Sequence, residues 1–137
     1  MIEMMHAALQ RDVDGRPGAM ELVARLRGRV PLGLASNSPR RLVDAALRTA
    51  GLLDTFDAVV TAEDVPRAKP APDLYLLACE RLGVAPRDAL ALEDSASGVA
   101  AAKAAGLTCI AVPQYAETDV SAADRVIDSL EELLAEA

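Results

Sequence analysis

The stretch ALALEDSASGVAAAKAAG, residues 89–106, decides the fold of this chain. It opens with four apolar residues, which is typical of a strand buried on both faces of a parallel sheet. Two adjacent carboxylates, Glu93 and Asp94, follow directly, and the alanine-rich segment over 98–105 is predicted to be a helix. A strand that leads through a polar loop into a helix is the repeating unit of α/β proteins, which bind ligands at the carboxyl ends of their strands.

The same alternation of strand and helix continues on both sides of this stretch. Strands are predicted over 30–35, 58–61, 89–92, 108–112 and 125–127, and helices over 2–10, 20–27, 40–50, 72–82, 98–105 and 128–136. Pro17 suits the first position of a helix, and Gly51 suits the residue after one. The sequence Ser36-Asn37-Ser38-Pro39 is predicted to form a turn and cap before the helix over 40–50. We therefore predict an α/β fold with a Rossmann-like parallel sheet and flanking helices.

Composition restricts the classes of partner. The 137 residues are 52% apolar and include one Phe, two Tyr and no Trp, so the core is aliphatic and stacking on nucleobases is not expected. A formal charge of −7 argues against nucleic acid and anionic membranes as partners, and the sequence leaves any protein partner unidentified. Cys79 and Cys109 lie in apolar segments and are predicted to be buried and reduced. With no signal or membrane segment near Met1, the predicted location is cytoplasmic.

Two polar residues are predicted to lie at strand ends and to contact an anion. Ser36 ends the run PLGLA and opens a helix, so its hydroxyl and nearby amides could donate to a phosphate; the alternative is that Ser36 or Ser38 only caps the helix. Lys69 lies in RAKPAPD, where the prolines hold the backbone extended and aim the ammonium inward. Its alternative is a solvated surface lysine.

The third position is the acidic pair Glu93-Asp94, whose carboxylates are ligands that Mg²⁺ prefers. The alternative is an acidic pair that caps the following helix. The order Ser, Lys, acidic pair differs from that of a response-regulator receiver, in which the acidic pair comes first and the Lys last. The sequence therefore predicts a phosphate and Mg²⁺ site at one edge of a parallel sheet.

Three segments, LASNSPR, AKPAPDLYLLA and ALALEDSASGVAAAKAAG, resemble the second, third and fourth motifs of the haloacid dehalogenase superfamily. The resemblance covers nearly everything over 17–112 and is strongest to the β-phosphoglucomutase-like branch of phosphatases and phosphomutases. It implies Mg²⁺-dependent phosphoryl transfer on a small phosphorylated metabolite such as a sugar phosphate. It also implies an aspartyl-phosphate formed by in-line attack.

The resemblance assigns roles residue by residue. Ser36 would hydrogen-bond the transferring phosphoryl group, and Asn37 would assist through its backbone amide. Lys69 would bind the phosphoryl group and steady the carboxylate of the nucleophile. Asp94 would be a Mg²⁺ ligand, with Glu93 contributing directly or through water.

One further residue is a candidate on weaker grounds. Arg40, four residues beyond Ser36, is a candidate contact for a substrate phosphate. A charged residue on the surface of the helix is the alternative for Arg40.

The family's first motif, an apolar strand ending in Asp-x-Asp-Gly, would supply the nucleophile and the general acid/base. We expect residues 1–16 to be a remnant of the helical cap and its return linker, and 17–137 to be the core. The core should then lack its first central strand, between the strands that end at Ser36 and Glu93, which leaves two unpaired strand edges.

Asp12-Val13-Asp14-Gly15 matches the bare pattern of the first motif, but the preceding AALQR is polar and favours a helix rather than a buried strand. A polar turn is the simpler interpretation of this segment. Three hypotheses follow: a shortened phosphatase or phosphomutase, a non-catalytic phosphate- and Mg²⁺-binding module, and a short capless phosphatase that uses Asp12.

Overall fold

The computed structural model describes residues 18–113 and 115–136. The predictions on the helix over 2–10, Pro17, the cap remnant and Asp12 lie outside these residues. The described helices are α1 (Ala19–Leu26), α2 (Arg40–Ala50), α3 (Asp73–Leu82), α4 (Ala96–Ala105) and α5 (Glu131–Glu136), and short 3₁₀ turns cover Ala62–Asp64 and Pro86–Asp88. The described strands are β1 (Gly33–Ala35), β2 (Ala58–Val60), β3 (Leu90–Glu93), β4 (Thr108–Ala111) and β5 (Arg125–Val126).

All strand pairs are parallel, which confirms the predicted α/β class. One sheet has the order β1-β2, and the other has the order β3-β4-β5. Within the described part of the chain, β1 pairs only with β2, and β3 pairs only with β4. One edge of β1 and one edge of β3 therefore have no strand partner among these residues.

The first strand is shorter than predicted because proline interrupts it. Pro31 has no N–H to donate, and the ladder begins at the pair Gly33 and Ala58. Before that point a side chain replaces the ladder: the Leu32 N–H donates to the Asp57 carboxylate at 2.8 Å, and the Asp57 N–H donates to the Leu32 carbonyl at 2.7 Å. Asp57 thus joins the starts of β1 and β2.

The segment Ser36-Asn37-Ser38-Pro39 forms the predicted turn, but neither serine caps α2. The N-cap residue is Pro39, and it offers no side-chain cap. The N–H of Arg40 instead donates to the Glu63 carboxylate at 2.8 Å, so a residue beyond β2 caps this helix. Ser36 and Ser38 are left for other contacts.

Most other elements differ from the prediction by one to three residues at an end, and two of these differences lie at the carboxylates Glu93 and Asp94. Helix α4 begins two residues early, at Ala96, because the Ser95 hydroxyl caps it by accepting from the Gly98 N–H at 3.0 Å. Strand β3 extends to Glu93, so this carboxylate belongs to the strand and does not follow it.

The core forms two clusters, one on each face of the sheets. One cluster joins α1, α2 and α5 to the strand residues Leu34, Leu90, Leu92 and Ile110. The other joins α3 and α4 to the strand residues Ala35, Ala91, Cys109 and Ala111. Because side chains alternate along a strand, Glu93 falls on the face covered by α3 and α4.

Two sequence predictions concern the burial of the cysteines and membrane-spanning segments. Cys79 and Cys109 are both buried, as predicted, at 1% and 0% exposure. Within the described ranges, no helix is long and apolar enough to cross a membrane.

Candidate functional site

A buried ion pair lies between the two sheets. The Lys69 ammonium Nζ donates to Glu93 Oε2 at 2.6 Å and to the Ala35 carbonyl at 3.0 Å. The side chains of Lys69 and Glu93 are 1% and 0% exposed. Ala35 is the last residue of β1 and Glu93 the last residue of β3, so the lysine bridges the carboxyl ends of the two sheets. The alternative of a solvated surface lysine is therefore wrong.

The lysine uses the edge of β1 that β2 leaves open. The N–H of Ser36 donates to the Val60 carbonyl at 3.0 Å, so it points toward β2. The Ser36 N–H and the Ala35 carbonyl belong to one planar trans peptide group, in which N–H and C=O point in opposite directions, so the Ala35 carbonyl points away from β2. Lys69 satisfies a buried carbonyl that would otherwise lack a partner on that edge.

Asn37 fixes the backbone of the lysine. Its side-chain Oδ1 accepts from the Lys69 N–H at 2.9 Å, and its Nδ2 donates to the Lys69 carbonyl at 3.3 Å. The sequence predicted a role for the backbone amide of Asn37 toward a phosphate and gave its side chain none. The side chain holds the Lys69 loop against the end of β1.

Ser36 lies beside this pair at the end of β1 and is 2% exposed. Its Oγ accepts from the Ser38 N–H at 3.1 Å, which forms a tight turn. A hydroxyl that accepts one bond still has its own O–H to donate. The structure thus brings Ser36, Asn37, Lys69 and Glu93 together at one edge of the sheets.

Tyr75 completes the cluster, and the sequence prediction missed it. This fully buried residue of α3 donates its hydroxyl to Glu93 Oε2, and its ring centroid lies 5.2 Å from Lys69 Nζ. Burial, followed by the charge of Glu93, raises the pKa of Tyr75 well above its usual value, so the hydroxyl remains a donor. The available signal was a tyrosine in a predicted aliphatic core, because a buried hydroxyl needs a partner.

The Glu93 carboxylate is held on both sides. Burial raises the pKa of Glu93, and Lys69 and Tyr75 oppose that rise by stabilising the charged form. Oε1 is buried and has no hydrogen-bond partner among the described residues. A Cβ on Gly98 would overlap with this carboxylate, so the first turn of α4 can pass here only with a glycine.

The acidic pair fits a Mg²⁺ site in part. Mg²⁺ in proteins is often bound through one or two carboxylates together with water and substrate phosphates. Asp94 is partly buried directly after Glu93, whose Oε1 is a buried acceptor without a hydrogen bond among the described residues. The described chain contains no cluster of three or more His, Cys, Asp or Glu residues. Any ligand beyond these two carboxylates would come from elsewhere.

Arg40 is held apart from this cluster. Its Nη2 donates to the Val59 carbonyl at 2.9 Å and to Asp64 Oδ2 at 2.7 Å. Burial acts to raise the pKa of Asp64, but the Thr61 amide and Arg40 outweigh it and hold the pKa below its usual value. The contact of Arg40 with a substrate phosphate stays a prediction, and Asp12 lies outside the described residues.

Comparison with known proteins decides the family. The model of the haloacid dehalogenase-like hydrolases matches residues 5–106. The chain belongs to the haloacid dehalogenase-like hydrolase family. The matched region contains every residue of the cluster built around Lys69 and Glu93.

Individual members of the family agree with this assignment. Validoxylamine A 7'-phosphate phosphatase from Streptomyces hygroscopicus subsp. limoneus is 41% identical over 85% of this chain and 55% of its own length. CbbY from Rhodobacter sphaeroides, solved with phosphate, has a TM-score of 0.81 and 39% identity over 86% of this chain and 55% of that chain. β-Phosphoglucomutase from Clostridium difficile has a TM-score of 0.75 and 25% identity over 88% of this chain and 56% of that chain.

These members confirm the predicted resemblance to β-phosphoglucomutase-like enzymes. The chain spans about half the length of the curated relatives it matches.

Proposed function

We propose that this chain carries the phosphate-binding and Mg²⁺-binding part of a phosphoryl-transfer site for a small phosphorylated metabolite such as a sugar phosphate. The reaction class would be that of a phosphatase or phosphomutase. The observation that carries the proposal is the buried Lys69–Glu93 pair, which joins the carboxyl ends of two parallel sheets. A buried ion pair is costly to desolvate and contributes little net stability, so a role in the site is the better explanation.

The lysine has a donor to spare. An ammonium carries three N–H groups, and the Ala35 carbonyl and Glu93 Oε2 occupy two of them. The third N–H would bind a phosphoryl oxygen, together with the Ser36 hydroxyl and the Asn37 backbone amide. These donors are set by the fold before any substrate arrives, which is how enzymes stabilise developing negative charge most effectively.

The acidic pair would hold the cation. Asp94 would bind Mg²⁺ directly, and Glu93 would bind it through Oε1 or through water, because Oε2 is engaged by Lys69 and Tyr75. A bound Mg²⁺ would supply positive charge to phosphoryl oxygens. Lys69 and Tyr75 stabilise the charged form of Glu93 against the burial that raises its pKa, and the charged form is the one that would bind a metal ion.

By the family resemblance, the nucleophile would lie in a first motif that precedes the described residues. Three versions of the proposal therefore differ in where the nucleophile comes from. In the first version a preceding segment of a longer protein supplies the nucleophile, and in the second Asp12 is the nucleophile. In the third there is no nucleophile, and the chain only binds phosphate and Mg²⁺. The cytoplasmic location remains part of the proposal.

One set of variants tests the proposal on the 137-residue chain. Binding of inorganic phosphate with and without MgCl₂ is followed by NMR, and hydrolysis of p-nitrophenyl phosphate is assayed in parallel. We expect Mg²⁺-dependent phosphate binding that Asp94→Asn abolishes and that the surface control Asp124→Asn retains. Absence of such binding in the folded wild-type chain would sink the proposal.

The hydrolysis assay then separates the versions. Hydrolysis that Asp12→Asn abolishes identifies Asp12 as the nucleophile. Hydrolysis that Asp12→Asn leaves intact excludes Asp12. Binding without hydrolysis identifies a chain that needs a separate nucleophile or has no turnover of its own.

A further inference from the structure

Tyr75 makes contacts that the proposed roles of Lys69 and Glu93 do not explain. It is the largest of the fully buried side chains, and its ring packs in the cluster beneath α3 and α4. A phenylalanine would bury the same ring without the cost of removing a hydroxyl from water. The presence of the hydroxyl therefore needs an explanation, and Glu93 Oε2 accepts its hydrogen bond.

Two donors meet on one carboxylate oxygen. Lys69 Nζ reaches Oε2 at 2.6 Å, and the Tyr75 hydroxyl donates to the same atom. Rotation of the carboxylate about its terminal bond would break both bonds at once, and both are charge-assisted. On the opposite side, Gly98 leaves just enough room for Oε1 and would allow no larger residue. The carboxylate is thus held in one orientation.

Tyr75 also contacts the cation. The Lys69 ammonium lies 5.2 Å from the centre of the tyrosine ring, within the range of a cation–π interaction. The ammonium is therefore surrounded by the Ala35 carbonyl, the Glu93 carboxylate and the Tyr75 ring. Together they fix the direction of its third N–H.

We propose that Tyr75 is a positioning residue that holds the Glu93 carboxylate in one orientation and, through it, aims the Lys69 ammonium. The contacts of Tyr75 support the positioning role itself. The reason that positioning would matter, binding of phosphate and Mg²⁺, rests on the proposed function. Tyr75 touches neither the substrate nor Mg²⁺ in this scheme. In this scheme its hydroxyl acts through Glu93 and its ring acts on Lys69.

The test compares Tyr75→Phe with Tyr115→Phe, which removes the other tyrosine hydroxyl from a side chain that is 60% exposed. The readout is the rate at which the Lys69 ammonium protons exchange with water, measured by ¹⁵N NMR. We expect roughly tenfold faster exchange in Tyr75→Phe, because Glu93 loses the hydrogen bond that keeps its carboxylate against the ammonium. We expect no change in Tyr115→Phe. Unchanged exchange in folded Tyr75→Phe overturns the inference.

A double variant separates positioning from general loosening of the core. Glu93→Gln keeps the shape of the side chain and removes its charge. If Tyr75 acts through Glu93, adding Tyr75→Phe to Glu93→Gln speeds exchange no further, whereas additive effects contradict the inference. Should Tyr75→Phe fail to fold, the Tyr75 hydroxyl proton in Tyr115→Phe must shift when Glu93→Gln is added, and a fixed resonance overturns the inference.

Titration of the wild-type chain with inorganic phosphate and MgCl₂ distinguishes this inference from the proposed function. Missing phosphate binding together with the expected ammonium exchange would reject the function and leave the positioning role in place. Phosphate binding with unchanged exchange in Tyr75→Phe would reject the positioning role alone.

Discussion

Two lysine–carboxylate pairs of similar length lie in very different surroundings. The Lys69–Glu93 distance is 2.6 Å with side chains 1% and 0% exposed, and the Lys103–Asp124 distance is 2.8 Å with side chains 35% and 43% exposed. Lys103 also donates to the Leu107 carbonyl at 3.0 Å, after the end of α4, and Asp124 accepts from the Cys109 N–H at 2.8 Å. The outer pair therefore links α4 to β4 and to the segment before β5.

The comparison separates stability from function. Water screens the outer pair, so each of its charges can be removed at little cost. The inner pair is desolvated, and each of its charges depends on the other. Apolar side chains of similar volume often stabilise such a position as well or better, so the inner pair supports the proposed site.

The largest expected effect comes from removing one inner charge. Lys69→Met leaves Glu93 buried without its cation and should lower the free energy of unfolding by roughly 3–5 kcal/mol. Urea denaturation measures the change, and Lys103→Met is the matched control on the outer pair. Equal losses for the two lysine variants would contradict the comparison.

Replacing the whole inner cluster by apolar residues should have the opposite outcome. In the triple variant Lys69→Met, Glu93→Leu, Tyr75→Phe, no unpaired polar group remains, and the free energy of unfolding should return to the wild-type value or exceed it by about 1–4 kcal/mol. Phosphate binding should be lost in the same variant. A triple variant as unstable as Lys69→Met alone would show that the cluster stabilises the fold.

The next effect concerns the glycine against the inner carboxylate. Gly→Ala inside a helix usually stabilises by up to about 1 kcal/mol. At Gly98 the sign should reverse, because a Cβ would overlap with the Glu93 carboxylate, and overpacking costs roughly 1–3 kcal/mol. Thermal unfolding measures the sign, and Glu93→Asp in the Gly98→Ala background should recover part of the loss. A simple gain in stability for Gly98→Ala would mean that the carboxylate moves freely.

A smaller, pH-dependent effect is expected for the outer pair. The Lys103 hydrogen bond, followed by the Cys109 amide, lowers the pKa of Asp124 below its usual value of 3.8. A lowered folded pKa contributes stability above the unfolded pKa and loses it as the pH falls through the folded pKa. Asp124→Asn should therefore cost under about 1 kcal/mol at neutral pH and progressively less below about pH 4. Urea denaturation over a pH series checks this, and a cost that grows in acid would contradict it.

The last prediction is that the two cysteine thiols do not react in the folded protein. Burial raises the pKa of Cys79 to about 11 and that of Cys109 to about 12, so neither thiol ionises at neutral pH in the folded protein. Alkylation by iodoacetamide, followed by mass spectrometry, should be equally slow in wild type and in Asp124→Asn. It should be faster in Lys69→Met, which unfolds more often. Rapid alkylation of native wild type would disagree with the buried positions of both thiols.

The sequence predicted the path of the backbone better than the contacts of side chains. Apolar runs and punctuating Gly and Pro residues are local signals, so the order of strands and helices was recovered within the described residues. Ser36, Lys69 and Glu93 were expected at strand ends, and the structure brings all three to one edge. Parallel topology alone makes that prediction possible, because it gathers the carboxyl ends of strands.

The contacts that were missed join residues distant in sequence. Glu63 caps α2 from 23 residues away, Asn37 brackets Lys69 from 32 residues away, and Tyr75 reaches Glu93 across 18 residues. No local pattern encodes such partners. Arg40 illustrates the same limit, since its ion pair with Asp64 depends on how α2 packs beside β2.

The packing of Gly98 against Glu93 also limits the order in which these two positions can be substituted during evolution. A larger residue cannot be accepted at position 98 while the full-length glutamate occupies its place, whereas a shorter residue at position 93 opens that space. Lineages should therefore change position 93 before position 98, and chains that carry Glu at 93 should keep Gly at 98. We therefore expect the two positions to change together, although four residues of sequence lie between them.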